Sequence, residues 1–99
     1  MEPTFPSSNP ARPAASAPWI LVVDDENAIL GLIEAILQAE GWNVLLADSG
    51  EKALAAIKAA PQPPAVVICD VLMPRIDGLE LTRQMLARVP GLKVILISG

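Results

Sequence analysis

Ala65-Val66-Val67-Ile68-Cys69-Asp70-Val71-Leu72-Met73-Pro74-Arg75-Ile76-Asp77-Gly78 is the stretch that decides the fold of this chain. It opens on an apolar, β-branched run, the signature of a strand buried on both faces. The run stops on a carboxylate, Asp70. Pro74 and the Asp77-Gly78 pair then impose a loop before a helix can begin. An acid at the carboxyl end of a buried parallel strand stands where open α/β sheets bind their ligands. A lone Asp there can equally do no more than start a turn.

Two other runs separate these readings. Trp19-Ile20-Leu21-Val22-Val23 is a second buried strand pattern, followed by Asp24-Asp25-Glu26. Lys93-Val94-Ile95-Leu96-Ile97 is a third, followed by the hydroxyl of Ser98. In a parallel sheet the three strands would bring acid, acid and hydroxyl to one edge. Hard oxygen donors gathered in this way suit Mg²⁺, which binds carboxylates, carbonyls and water. The constellation reads as a small acidic pocket for a divalent cation beside one special carboxylate.

The elements between these runs follow from periodicity. Glu26 to Gln38 carries Ile29, Leu30, Leu32, Ile33, Ile36 and Leu37 at helical spacing, and Gly41 supplies a stop. Trp42 to Ala47 reads as the second strand. Asp48-Ser49-Gly50 then turns into a helix over Glu51 to Ala59, with Ala53, Leu54 and Ile57 on its buried side. Pro61-Gln62-Pro63-Pro64 ends that segment. A third helix, from about Leu79 to Arg88, is expected to bury Leu79, Thr82, Met85 and Leu86, and Pro90-Gly91 closes it. The order β-α-β-α-β-α-β with short loops implies parallel strands and right-handed crossovers. Residues 1 to 18, with five prolines among Ala, Ser and Asn, have the composition of a disordered leader, which leaves 19 to 99 as the folded domain.

Composition excludes several functions. The chain of 99 residues carries a net charge of −4, the wrong sign for a phosphate-backbone binder. With no His, it has neither an imidazole metal site nor a Ser-His-Asp triad, and nothing to activate the single Cys69. No apolar run reaches the ~20 residues of a membrane span, and the N-terminus lacks the pattern of a signal peptide. A cytoplasmic location is expected.

Asp24-Asp25, the D-x-x-M-P-x-I-D-G string from Asp70 to Gly78, and the strand-terminal Ser98-Gly99 together resemble the receiver domain of two-component response regulators, of the chemotaxis-regulator type. The resemblance covers residues 19 to 99. It implies a flavodoxin-like doubly wound parallel sheet, α/β in class, with strand order 2-1-3-4 and with the fifth strand and last two helices missing from this chain. It further implies that Asp70 is the phosphoacceptor, taking a phosphoryl group from a phosphohistidine with the help of Mg²⁺. Asp25 and Asp70 would bind the ion directly with the backbone carbonyl of Leu72, and Asp24 through a water. Ser98 would be the switch hydroxyl that turns toward the phosphorylated Asp70. The implied partner is a sensor histidine kinase or histidine phosphotransfer protein, and the implied role is phosphorelay signalling rather than enzymatic turnover. Met73-Pro74 and Asp77-Gly78 read as structural, with Gly78 allowing a conformation that a Cβ would hinder.

The family also uses a Lys at the end of its fifth strand, and no Lys here takes that place: Lys93 precedes the fourth strand, and Lys52 and Lys58 face solvent. Val94 to Ile97 would then lie along an unpaired edge, which invites self-association. A phosphorylation-independent interaction domain of the same fold is the alternative. A Mg²⁺-dependent phosphohydrolase of the haloacid-dehalogenase type needs a second Asp two positions after the first, where Leu72 stands. A dinucleotide site needs a glycine-rich first loop, where Asp24-Asp25-Glu26 would repel a pyrophosphate.

Overall fold

The structure, a computed structural model, describes residues 18–73 and 76–97. Residues 1–17, Pro74, Arg75, Ser98 and Gly99 lie outside that set, and with them all but Pro18 of the expected leader and the hydroxyl expected to act as a switch. The elements are β1 (Trp19–Val23), α1 (Asn27–Ala39), β2 (Asn43–Ala47), α2 (Gly50–Ala59), β3 (Val66–Asp70), β4 (Leu72–Met73), β5 (Ile76–Asp77), α3 (Gly78–Arg88) and β6 (Val94–Ile97). Four parallel strands form one sheet in the order β2-β1-β3-β6, the 2-1-3-4 order expected for the four long strands. β4 and β5 make a separate two-residue antiparallel ribbon in the loop after Asp70.

Every side chain of β1 is buried, because it lies between β2 and β3 with helices on both faces. Alternation along the strands sorts the core into two layers. Trp19, Leu21, Val23, Val67 and Cys69 face α2 and α3, meeting Ala53, Ile57, Leu81 and Met85. Ile20, Val22, Val66 and Ile68 face α1, meeting Leu30, Ile33 and Leu37. The register pairs Val23 with Ala47 on one side and with Cys69 on the other. The residue after Val23, Asp24, therefore falls beside Asp70.

The local stops work through identifiable groups. Gly41 has a φ of +91°, the left-handed conformation that glycine adopts without penalty, and its N–H closes α1 by donating to Gln38 O at 2.9 Å. Ser49 caps α2, its hydroxyl accepting from Lys52 N at 3.1 Å. Asp77 caps α3, one carboxylate oxygen accepting from Leu79 N at 2.9 Å and from Glu80 N at 3.3 Å.

Two helix faces differ from expectation. In α3 the buried pair is Leu81 and Met85, one helical turn apart, while Leu79 and Leu86 are exposed. The Asp77 cap starts the helix at Gly78, and the rotation that follows turns position 81 inward and position 79 outward. In α1, Leu30, Ile33 and Leu37 pack on the sheet, but Leu32 and Ile36 are more than half exposed. The wide apolar face of α1 is thus only half covered by the described residues.

Candidate metal centre

The site is built at the carboxyl ends of β1 and β3. Asp24 is 3% exposed, and its Oδ1 accepts from Glu26 N at 3.0 Å while its own N–H donates to Ala47 O at 3.1 Å. These bonds fix the turn from β1 into α1. Asp25 and Asp70 are half-buried. One carboxylate oxygen from each of Asp24, Asp25 and Asp70 lies within 4.8 Å of the others.

Electrostatics at this point favour a cation. Burial raises the pKa of Asp24 above the ordinary carboxylate value; the Glu26 N–H opposes that shift, and the charges of Asp70 and Asp25 add to it. Two ligands of an octahedral Mg²⁺ lie about 3–4 Å apart at its usual 2.0–2.1 Å bond lengths. Oxygens within 4.8 Å of one another are thus close enough to serve such an ion, directly or through one of its waters. The triad's all-oxygen donor set fits Mg²⁺ and excludes a soft-metal site.

Cys69, directly before Asp70, is fully buried, and its thiol is pushed up to about 11 by burial and then by the charges of Asp70 and Asp24. A thiol held protonated in this way is no nucleophile. Its Sγ instead donates weakly to Asp70 O at 3.5 Å.

The same carbonyl explains Gly78 better than loop conformation does. A Cβ on Gly78 would lie 2.7 Å from Asp70 O and 2.9 Å from Val71 Cα. The first turn of α3 therefore rests directly on the backbone that carries the candidate phosphoacceptor. Close approach, rather than an unusual φ, requires glycine here. Leu72 begins the ribbon two residues after Asp70, opposite Asp77.

From Asp25 a groove of about 710 Å³ runs between the starts of α2 and α3, past Asn27, Ser49, Lys52, Asp77 and Gln84. Lys52 is solvent-exposed as expected, yet it also lines this groove, paired with Asp48 at 2.9 Å. Helix starts gather at the strand ends in any βα unit, so the groove could have been anticipated from topology, though not from a motif.

The comparisons with known proteins decide the family. The family model of the response regulator receiver domain matches residues 20–99. The chain belongs to the response regulator receiver family. A curated relative, the probable transcriptional regulatory protein TcrX of Mycobacterium tuberculosis, is 39% identical over 80 residues, covering 81% of this chain and 33% of TcrX. The crystal structure of the response regulator TrrA from Thermotoga maritima, in complex with Mg²⁺-BeF, aligns with a TM-score of 0.74 at 37% identity, over 82% of this chain and 69% of that one. A structure of the histidine kinase ThkA in complex with TrrA aligns with a TM-score of 0.72 at 38% identity, over 83% of this chain and 69% of the matched one. This receiver domain spans about a third of the length of the curated relatives. No helix among its described residues is long and apolar enough to cross a membrane.

Proposed function

We propose that this receiver domain accepts a phosphoryl group on Asp70 from a phosphohistidine of a sensor histidine kinase or histidine phosphotransfer protein, in the cytoplasm. The observation that carries the reading is the triad Asp24, Asp25 and Asp70, with oxygens within 4.8 Å of one another at adjacent strand ends. In the transfer, an Asp70 carboxylate oxygen forms the new bond to phosphorus as the phosphorus–nitrogen bond of the donor breaks. The imidazole leaves and takes up a proton from solvent, and an acyl phosphate remains on Asp70.

Asp25, Asp70 and the carbonyl of Leu72 would hold Mg²⁺, with Asp24 acting through a water. When bound, the ion supplies neutralising charge for the carboxylates and the phosphoryl oxygens. The protein's own part is positioning. Gly78 seats α3 against the Asp70 backbone, and the Asp24–Glu26 turn sets the neighbouring carboxylates. Ser98 is the hydroxyl proposed to turn toward the phosphoryl group, which biases a two-state loop by a local change of charge. The chain is modified once and signals; it does not turn over a substrate. The likeness to TrrA, solved with Mg²⁺-BeF and also in complex with the histidine kinase ThkA, supports both the ion and the partner.

Incubation with a small acyl phosphate and Mg²⁺, followed by intact-mass measurement, tests the reading. One base-labile phosphoryl group per chain is expected, and none on Asp70→Asn. A label that persists in that variant, or maps to Ser98, overturns it.

A further inference from the structure

β2 heads the order β2-β1-β3-β6, so a strand added beyond β6 does not reach it, and none lies outside it among the described residues. Asp24 N donates to Ala47 O at 3.1 Å, and Ala47 is in register with Val23. Odd-numbered residues of β2 thus direct their backbone groups to β1, and Val44 and Leu46 direct theirs outward. The strand has neither the charge nor the proline that usually protects an edge. Its α1 face is open as well. Val44 packs against the layer of Ile20, Val22 and Leu30. Leu46, on the same face, is 37% exposed, and Trp42, just before the strand, is 40% exposed.

The segment that can cover this edge starts beside it. Residues 1–17 join the fold at Pro18, whose carbonyl accepts from Asn43 Nδ2 at 3.4 Å, at the foot of β2. A segment that descends outside β2 and turns under that foot into β1 runs antiparallel to β2. Its prolines decide the phase. An edge strand tolerates Pro only where the missing N–H would point to solvent. From Thr4 to Arg12 the prolines are Pro6 and Pro10, both at even positions. Phe5, Ser7 and Asn9 then turn their N–H groups toward β2. Opposed residues share a sheet face, which puts Phe5, the only Phe of the chain, on the face of Leu46. Pro3 decides the register. With Phe5 opposite Leu46 and Ser7 opposite Val44, Pro3 falls past the end of β2 at Ala47. Phe5 set opposite Val44 would instead bring Pro3, which has no donor, opposite Leu46. A shift the other way carries Phe5 off the strand. Residues 8–18 then cross two strand spacings, about 10 Å, to reach β1, well within their length.

We propose that the leader of this chain docks on the outer edge of β2 as an antiparallel strand, with Phe5 opposite Leu46 and Ser7 opposite Val44. A segment of this composition buries too little apolar surface to fold by itself. Tethered at Pro18, it meets a ready-made edge at high effective concentration. Docking covers Leu46 with Phe5 and gives the outward groups of Val44 and Leu46 their partners. It uses no residue of the carboxylate cluster, so it stands or falls apart from the phosphoacceptor reading.

Amide hydrogen exchange at Val44 and Leu46, in the 99-residue chain and two proline variants, tests the docking. Ser7→Pro removes the donor that faces Val44 and should speed exchange of both amides about tenfold, the size of one hydrogen bond. Ser8→Pro loses only an N–H that faces solvent, and it favours extended backbone at Ser7, so both amides should stay slow. Equal exchange in the parent and Ser7→Pro overturns the docking. Equal acceleration by both prolines overturns it too, because the phase is then wrong. Mild oxidation of a Ser7→Cys, Val44→Cys double variant shows whose leader is bound. Hydrogen-bonded partners have Cα atoms about 5.5 Å apart, within disulfide reach. A disulfide within one chain is expected, formed faster than when Ser8→Cys replaces Ser7→Cys. A disulfide that joins two chains gives the edge to a second copy and overturns the proposal, as does a rate no faster than that of the Ser8→Cys control.

Discussion

β1 and β6 are nearly the same sequence: five and four residues, all apolar and rich in branched aliphatics. In β1 every side chain is buried. In β6 none is fully buried, and Ile95 and Leu96 are exposed. The difference lies in their neighbours. β1 has a strand on each side and a helix layer on each face, whereas among the described residues β6 has β3 alone beside it and only Val94 packed against the core. An aliphatic run therefore specifies a strand, and its place in the sheet decides how much that strand contributes to stability. It follows that equivalent truncations should differ several-fold between the centre and the margin.

The largest effect belongs to Trp19. Its ring is fully buried at the start of β1, and its Nε1 donates to Gln62 O at 2.9 Å, tying the first strand to the segment before β3. Trp19→Ala should cost about 3–5 kcal/mol, the usual range for a buried aromatic, and it also removes the donor to Gln62 O. That approaches the ~5–15 kcal/mol by which a whole domain is stable. Urea unfolding followed by circular dichroism should find the variant largely unfolded before denaturant is added. A midpoint close to the parent's would mean that β1 is less central than its burial indicates.

Gly78→Ala comes next, because the added methyl meets backbone atoms that cannot swing away. Overpacking of this kind costs about 1–3 kcal/mol. The strain falls on Asp70 itself, so Mg²⁺ affinity measured by calorimetry should drop together with the melting temperature. Gly31→Ala has open space at its Cβ and should lower neither.

A third effect depends on pH. The pKa of Asp24 is raised in the folded chain, so the native state holds its proton more tightly than the unfolded state does. Stability of the metal-free chain should therefore be greatest below the ordinary carboxylate value and fall as pH rises through the raised one. Asp24→Asn keeps an oxygen to accept from Glu26 N and removes the charge, so it should flatten that fall. Saturating Mg²⁺ should offset the fall in the parent more than in the variant. Melting temperatures across the acid range, with and without the ion, would show a parallel pair of curves if Asp24 were an ordinary surface acid.

How much of this was legible in the residues follows the same divide. Strand order, the Asp24-Asp25-Asp70 cluster and the stops at Gly41 and Asp77 rest on local chemistry or on the receiver motif, and the chain displays both. The buried face of α3 was not legible. Leu79, Leu81, Met85 and Leu86 satisfy a helical stripe in more than one phase, and only the cap at Asp77 with the packing of Gly78 on Asp70 selects Leu81. The half-covered face of α1 escaped for a related reason. Leu32 and Ile36 fit the 3.6-residue period as well as Ile33 and Leu37 do, and the period says nothing about whether a neighbour exists to cover them. The reason for Gly78 lay likewise in a tertiary contact, which no local pattern encodes.

The smallest effect on the fold is the one that probes the margin most sharply. Ile95 is 52% exposed in the single chain, so Ile95→Thr should change its stability by no more than about 0.5 kcal/mol, as surface substitutions do. Threonine also retains the β-branched shape that suits a strand. Thermal melting should therefore place the variant within about 2–4 °C of the parent. A larger drop would mean that Ile95 is covered, and the contrast between β1 and β6 would then be smaller than their burial indicates.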